Sequence, residues 1–364
     1  MKYRINKLLI KNFKSVKDLK LDCSRINLFI GEPNIGKSNI LEALSLYGFS
    51  FDRSNEKFMS DFIRYEHFAD VFYDQSIEEP LAVLSELGAI WIEYNYETSS
   101  FDFKTGNIQN AKDNEAVSTE DLNAANLPSI QTDKNVILEK KTINLQESGK
   151  LNSQIDYRLT IPVKKYRFSQ GEIDDTKNGL SLFPPHGNNL FRTIQTHGEL
   201  KEEIAELLEY YGLRLQLNTL QKKLEIVKTK GNISYTLPYI STADTLRRII
   251  FYYAAILSNK NSVLLFEEPE SHFFPPYIRD LAFKIIENID NQYFIATHSP
   301  QLFNTLIEKT PEKDLSVFVT FSEDQQTKVR KLTGEDLSEL LDYGVNVFSN
   351  ISRYTHEHST TNIS

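Results

Sequence analysis

The chain has 364 residues, of which 40% are apolar and 25% charged, with a formal net charge of −9. That composition is ordinary for a globular protein, with length for one large domain or two modest ones. The acidic balance argues against tight non-specific nucleic-acid binding. A single cysteine, Cys23, excludes a disulfide framework or a cysteine-rich zinc site within one chain and suits a reducing cytoplasm. The start carries no signal-peptide core, and no apolar run is long enough to cross a bilayer, so no membrane partner is expected.

Tyr3 to Ile10 and Val16 to Leu21 read as strands, joined through Lys11-Asn12-Phe13-Lys14-Ser15. With the buried strand Ile26–Ile30 they form an expected N-terminal β unit. The chain then breaks into Gly31-Glu32-Pro33-Asn34-Ile35-Gly36-Lys37-Ser38 and continues as a helix over 37–48, closed by Gly48. The spacing from Gly31 to Gly36-Lys37-Ser38 fits G-x-x-x-x-G-K-[ST], a phosphate-binding loop. Glycines let the backbone turn its N–H groups toward phosphate oxygens, and the helix N-terminus, from Asn39 onward, adds a positive dipole end. Lys37 is expected to reach the β- and γ-phosphates of ATP and Ser38 to bind Mg²⁺.

Residues 51–90 read as mostly helical, anchored by Phe58, Phe62, Phe68 and Phe72, with Arg64-Tyr65-Glu66-His67 as a polar cluster among them. Trp91–Glu97 and Phe101–Lys104 read as strands. Asn107 to Asp133 is a polar loop or insertion. Strands resume at Asn135–Lys140 and Gln154–Phe168, followed by a polar loop from Gly171 to Gly179 and an irregular Leu182–Leu190. Leu200–Tyr211 is an amphipathic helix closed by Gly212. Leu224–Lys228 and Ser234–Tyr239 form a hairpin. After Ile240-Ser241-Thr242-Ala243-Asp244 an apolar helix runs from Ile249 to Leu257.

Ser262–Phe266 is a buried strand ending in Glu267-Glu268-Pro269-Glu270. Ser271 to Pro276 turns into helix 277–288, and strand Gln292–Thr297 ends in His298. Leu315–Phe321 is a further strand, Lys331–Tyr343 a short helix and Ser359–Ser364 a tail. The alternation after 235 predicts a mainly parallel α/β sheet. Ligands of such sheets sit outside the carboxyl ends of the strands. Three buried strands end there in the phosphate loop, in Glu267-Glu268 and in His298. Glu267 is the candidate for the Mg²⁺ shell, Glu268 for orienting the attacking water and His298 for sensing the γ-phosphate. A solvated loop is the usual reading of paired glutamates. Three such loops after buried strands favour one site.

Phe13-Lys14-Ser15, the Gly31–Ser38 loop, Leu264-Leu265-Phe266-Glu267-Glu268-Pro269-Glu270 and Ala296-Thr297-His298-Ser299-Pro300 together resemble the ABC-type ATPase heads of the SMC and RecF class. The sequence is more closely similar to the RecF-like ATPases grouped with the overcoming-lysogenization-defect (OLD) family. The resemblance implies one ABC-type P-loop head over 1–364: an N-terminal lobe (1–100), an inserted β-rich and helical region (101–235), a C-terminal lobe (236–322) and a helix and tail (323–364). It implies that Glu267 is the Walker B acid, where Asp is usual, Glu268 the catalytic glutamate, Ser271-His272 part of the D-loop and His298 the switch histidine.

Ser241-Thr242-Ala243-Asp244 stands where a Ser-x-Gly signature reads the γ-phosphate across a dimer. The glycine is absent, so slow hydrolysis is expected. Arg64–His67 stands in for the missing Q-loop glutamine. No Asp-x-Asp cluster follows His298, so no Toprim nuclease is expected in the chain. The implied function is a dimeric or higher-order ATP-hydrolysing switch for a separate nuclease or toxin in bacterial defence against phage. Two alternatives are a barely hydrolysing scaffold and a RecF-like DNA-repair ATPase, whose DNA would meet Lys140-Lys141 and Lys164-Lys165-Tyr166-Arg167.

Overall fold

The strand Ile26–Ile30 is buried at all five residues and lies in the middle of the molecule's parallel sheet. The computed structural model describes residues 3–48, 50–51, 59–106, 108–110, 136–138, 141–150, 157–158, 163–171, 179–342 and 346–355. The central sheet has six strands in the order Val163–Tyr166, Val263–Glu267, Gln292–Ala296, Ile26–Ile30, Leu315–Glu323 and Gln326–Lys331. The first five are mutually parallel and the last is antiparallel. Near-continuous apolar runs such as VLLF and YFIA suit strands covered on both faces.

The two faces feed separate cores, because successive side chains point to opposite sides. Leu28, Ile30, Leu264, Phe266 and Ile295 face a helical layer that includes Gly198–Glu209, Asp244–Leu257, Pro275–Glu287 and Pro300–Lys309. Phe29, Leu265, Phe294 and Phe318 face helix Lys37–Ser45 and a second sheet. That sheet is antiparallel, in the order Lys141–Leu145, Ser100–Gly106, Gly88–Asn95, Leu81–Ser85, Lys7–Phe13 and Val16–Asp22. Asn27, fully buried, donates to Ser24 O and Tyr293 O, so its amide stitches neighbouring segments together.

Several expectations need correction. Ile26–Ile30 does not join the two N-terminal strands but leaves their sheet for the parallel one. Within 51–90 the described residues form short 3₁₀ turns at Phe68–Val71 and Tyr73–Gln75, then strands Leu81–Ser85 and Gly88–Asn95. Phe68 and Phe72 have helical spacing, but each packs on Phe101, at 4.8 and 5.5 Å between ring centroids, and Phe72 is extended at φ −90°. Tertiary stacking, not a helical face, explains these aromatics.

Helix Asp244–Leu257 starts earlier than its apolar run. Strands Leu213–Asn218 and Gln326–Lys331 and helix Pro300–Lys309 were not anticipated. The helix begins at Ser299, whose hydroxyl accepts from Leu302 N, with Pro300 in its first turn. Phe58, 111–133, 172–178 and the tail 359–364 lie outside the described residues. From the expected loop at 107–133, Ile108–Asn110 is a strand paired with Val136–Leu138.

The register levels the carboxyl ends of the central strands. Glu267 pairs with Ala296, Ala296 with Phe29, and Tyr166 with Phe266. The phosphate loop, Glu267-Glu268 and His298 therefore leave the sheet at one edge. Arg167, following the edge strand, leaves there too.

Candidate active site at the edge of the parallel sheet

The loop owes its shape to two glycines. Gly31 has φ +151° and Gly36 φ +101°, where a side chain is strained. A Cβ on Gly31 would meet Thr320 O at 2.3 Å, and one on Gly36 would meet Thr327 Oγ1 at 2.0 Å. The loop is braced from the far end of the chain. Thr327 Oγ1 donates to Ile35 O at 2.9 Å and lies 2.6 Å from Ser15 Oγ, which accepts from Asn39 Nδ2 at 2.7 Å. Ser15 of the Phe-Lys-Ser motif thus supports the loop. No side chain caps helix Lys37–Ser45, so its first amides are available to an anion.

Lys37 is buried, and its Nζ donates to Gly31 O at 2.8 Å and Glu32 O at 2.6 Å. Burial lowers its pKa to about 8, although Glu268, Glu267 and Glu32 oppose the shift. Glu32, Pro33 and Asn34 are exposed at the loop's crest, with Asn34 at φ 62°.

Ser38 Oγ donates to Glu267 Oε1. Lys165 Nζ lies 3.6 Å from Glu267 Oε2, and Arg64 Nη2 lies 3.6 Å from Oε1. Burial pushes the Glu267 carboxyl up, but Lys165, the Ser38 hydroxyl, Arg64 and Arg167 overcome it and hold the group below the usual carboxylate range. A hydroxyl and an ionised carboxylate in contact form an oxygen donor set that fits a hard divalent cation.

Glu268 follows at φ 45°, its N–H donating to Ala296 O at 2.8 Å. Ser271 Oγ donates to Glu268 Oε2 at 3.2 Å, and His298 Nε2 lies 3.6 Å from Oε1. Burial, then Lys37, lowers the His298 pKa, with Glu268 opposing. At neutral pH the imidazole is uncharged, so this approach is not a full ion pair. The histidine loop is anchored by Glu270, whose Oε1 accepts from Thr297 Oγ1 at 2.5 Å and His298 N at 3.3 Å.

The structure adds a carboxylate that the sequence reading did not single out. Glu42, wholly buried on the phosphate-loop helix, meets Lys14 Nζ at 2.5 Å, Arg64 Nε at 2.7 Å and Lys165 Nζ at 3.9 Å. Through Arg64 and Lys165 it is connected to Glu267. The available signals were charges inside apolar periods: Glu42 within Ile40-Leu41-Glu42-Ala43-Leu44, and Lys165 within a strand. Arg64 of the 64–67 cluster reaches the site. Glu66 and His67 instead give their N–H groups to Asp70 Oδ2. Lys164 and Lys165 are not surface strand charges. Lys165 is buried, and Lys164 donates to Ser181 Oγ at 2.7 Å and Asn259 Oδ1 at 2.5 Å.

Ser241, exposed, ends the 3₁₀ turn Tyr239–Ser241, whose Tyr239 is half-buried. Among the described residues, no hydrogen bond or ion pair joins it to the phosphate loop. Asp244 takes Arg248 Nε at 2.7 Å, Arg247 Nη2 at 3.3 Å and Gln170 Nε2 at 3.3 Å. Thr245 Oγ1 donates to His272 O at 2.9 Å, tying helix Asp244–Leu257 to the turn beyond Glu268.

Fold and site together define a P-loop nucleotide-binding head. The family described as AAA ATPase domain matches residues 1–234, and the chain belongs to that family. It is 22% identical over 377 residues to a Helicobacter pylori (strain ATCC 700392 / 26695) protein named ATP/GTP phosphatase, covering 94% of this chain and 100% of that one. Among solved structures, an Smc head domain with an extended coiled coil, bound to the C-terminal domain of ScpA from Pyrococcus furiosus, aligns at TM-score 0.51. Its identity is 13%, over 93% of this chain and 98% of that one. An SmcHead bound to the C-winged helix domain of ScpA aligns at 0.50, with 14% identity over 92% and 99%. These structural likenesses establish the fold. Among the described residues, no helix is long and apolar enough to cross a membrane.

Proposed function

We propose that the chain binds ATP with Mg²⁺ at the phosphate loop and hydrolyses it. The observation that carries this reading is the convergence of Lys37, Ser38, Glu267, Glu268 and His298 at one sheet edge. The backbone N–H groups of the Gly31–Asn39 stretch, other than Pro33, and the Lys37 ammonium bind the phosphates. Ser38 and Glu267 hold the cation, which when bound supplies positive charge to the β- and γ-phosphate oxygens. Glu268 orients water and accepts its proton as the water oxygen bonds to the γ-phosphorus and the bond to the bridging oxygen breaks. Neutral His298 donates to, or accepts from, groups at the γ-phosphate. The Helicobacter relative's name supports a nucleoside triphosphatase and makes GTP the competitor to test. Phosphate release by the wild type should exceed that of Lys37→Ala and Glu268→Gln by about 10²-fold or more. Equal rates in all three would end the reading.

The exposed Ser241, without a bond to its own phosphate loop, supports a dimer in which each site combines one chain's loop with the other's signature segment. The absent signature glycine supports slow turnover. The solved heads bound to ScpA domains support a separate protein partner. On this reading, the head switches such a partner, a nuclease or toxin, in phage defence in the cytoplasm, as an OLD-like ATPase. The reading predicts fewer plaques on cells carrying the wild type with its chromosomal neighbours than on cells carrying Lys37→Ala. The DNA-clamp alternative loses support because Lys165 is buried and the half-buried Lys164 is already engaged by Ser181 and Asn259.

A further inference from the structure

A second pocket, of about 410 Å³, opens beside the signature segment. No phosphate-loop residue lines it, nor do Glu267, Glu268 or His298. Among the described residues, its wall carries Lys222, Lys223 and Arg247 against one carboxylate, Glu225. That carboxylate already accepts from Gln216 Nε2 at 3.0 Å and Asn218 Nδ2 at 3.5 Å. Arg247 is only 8% exposed, and its Nε is buried without a hydrogen-bond partner among the described residues. Its other nitrogens make long contacts, Nη1 to Gln170 O at 3.5 Å and Nη2 to Asp244 Oδ1 at 3.3 Å. A guanidinium has five donors, and leaving one unmatched in a buried position is costly unless something else compensates.

In a chain of net charge −9, this excess of cations among the described lining residues is not a general property of the surface. Beside the polar Gln221 and Thr236, the wall has an apolar and ring-bearing part with Phe191, Leu224 and Tyr239. The volume lies in the range of small-molecule sites. Cations paired with aromatic walls suit an anion that carries a flat apolar body. Inorganic phosphate would leave the apolar wall unused, and a neutral ring would leave the cations unused.

We infer that this pocket binds a small organic phosphate bearing a planar ring, of nucleoside monophosphate size, at a site separate from the phosphate loop. Lys222 and Lys223 meet the phosphate, Arg247 adds charge from below, and Phe191 and Tyr239 flank the ring.

The test is calorimetric titration of AMP into the full-length Lys37→Ala protein, whose phosphate loop is disabled. Two pocket variants are added to that background: Lys222→Ala with Lys223→Ala, which removes charge, and Thr236→Trp, which fills the space and leaves the charge intact. Saturable AMP binding to Lys37→Ala, weakened about tenfold or more by each pocket variant, is the expected result. The same pocket variants in the Lys37 background should bind ATP like the wild type, which establishes that they fold. Absence of AMP binding in Lys37→Ala, or affinity unchanged by both pocket variants, would overturn the inference.

Discussion

The phosphate-loop half of the site and the Ser241–Asp244 segment are held to different degrees. The first is assembled from distant parts of the chain: Ser15 and Thr327 brace the loop, and Glu42 gathers Lys14, Arg64 and Lys165 under it. The second pairs Asp244 with Arg247 and Arg248 on its own helix and is tied elsewhere through Gln170 to Asp244 and Thr245 to His272, yet it leaves Ser241 exposed. A nucleotide would therefore meet a braced receiving edge in its own chain. The group expected to close over it, Ser241, stands exposed at the end of a 3₁₀ turn. That is the distribution of stiffness that a nucleotide-gated contact between two chains needs.

The sharpest way to break this contrast is to remove one carboxylate from each half. Glu42→Ala would leave Lys14, Arg64 and Lys165 without their shared anion, one of them deeply buried. A loss of about 3–5 kcal/mol in denaturant unfolding is expected. Asp244→Ala removes partly exposed helical pairs, and about 0.5–1 kcal/mol is expected. Comparable losses would show that the two halves are equally braced.

The next effect concerns pH. Lys37 must be protonated to bind phosphate, and burial has lowered its pKa to about 8 in the nucleotide-free protein. A bound phosphate favours the charged form, so affinity is full below that value and declines above it. The dissociation constant for ATP should change little from pH 6.5 to 7.5 and weaken about eightfold between 7.5 and 9. A flat profile through pH 9 would contradict the assigned environment of this lysine.

The smallest effect concerns the histidine loop. Burial raises the pKa of Glu270, although Thr297 and the local amides oppose the shift, and its Oε2 has no hydrogen-bond partner. Since folding raises the pKa of this acid, its contribution to stability is complete below the unfolded value, near pH 4.5, and is lost as pH rises toward the folded value. Glu270→Gln removes that loss and keeps an acceptor for Thr297 and His298. Its melting temperature should exceed the wild type's by about 1–2 °C at neutral pH, with a smaller gap in acid. A gap that does not change with pH would place the strain elsewhere.

The contrast also explains what the sequence could and could not disclose. The loop from Gly31 to Ser38 is a contiguous pattern, and the strands ending at Glu267 and His298 are uninterrupted apolar runs, so their meeting at one edge follows from general rules for parallel sheets. The bracing groups carry no such pattern. Ser15 and Thr327 are 312 positions apart, and their contact depends on a final antiparallel strand that periodicity did not reveal. Glu42 and Lys165 looked like single charges on a helix and a strand. Only packing shows that they face each other beneath Ser38. The aromatics at 68 and 72 misled for the related reason that their spacing matched a helix while their partner, Phe101, lay on a strand.

The central claim is that one chain's phosphate loop works with another chain's Ser241. It is tested most directly by mixing two inactive variants, Lys37→Ala and Ser241→Arg, and measuring ATP-dependent phosphate release. A mixed dimer would hold one intact composite site, so an equal mixture should recover about a quarter of the wild-type rate. A mixture no more active than either variant alone, with mixed dimers confirmed by native mass, would contradict the account.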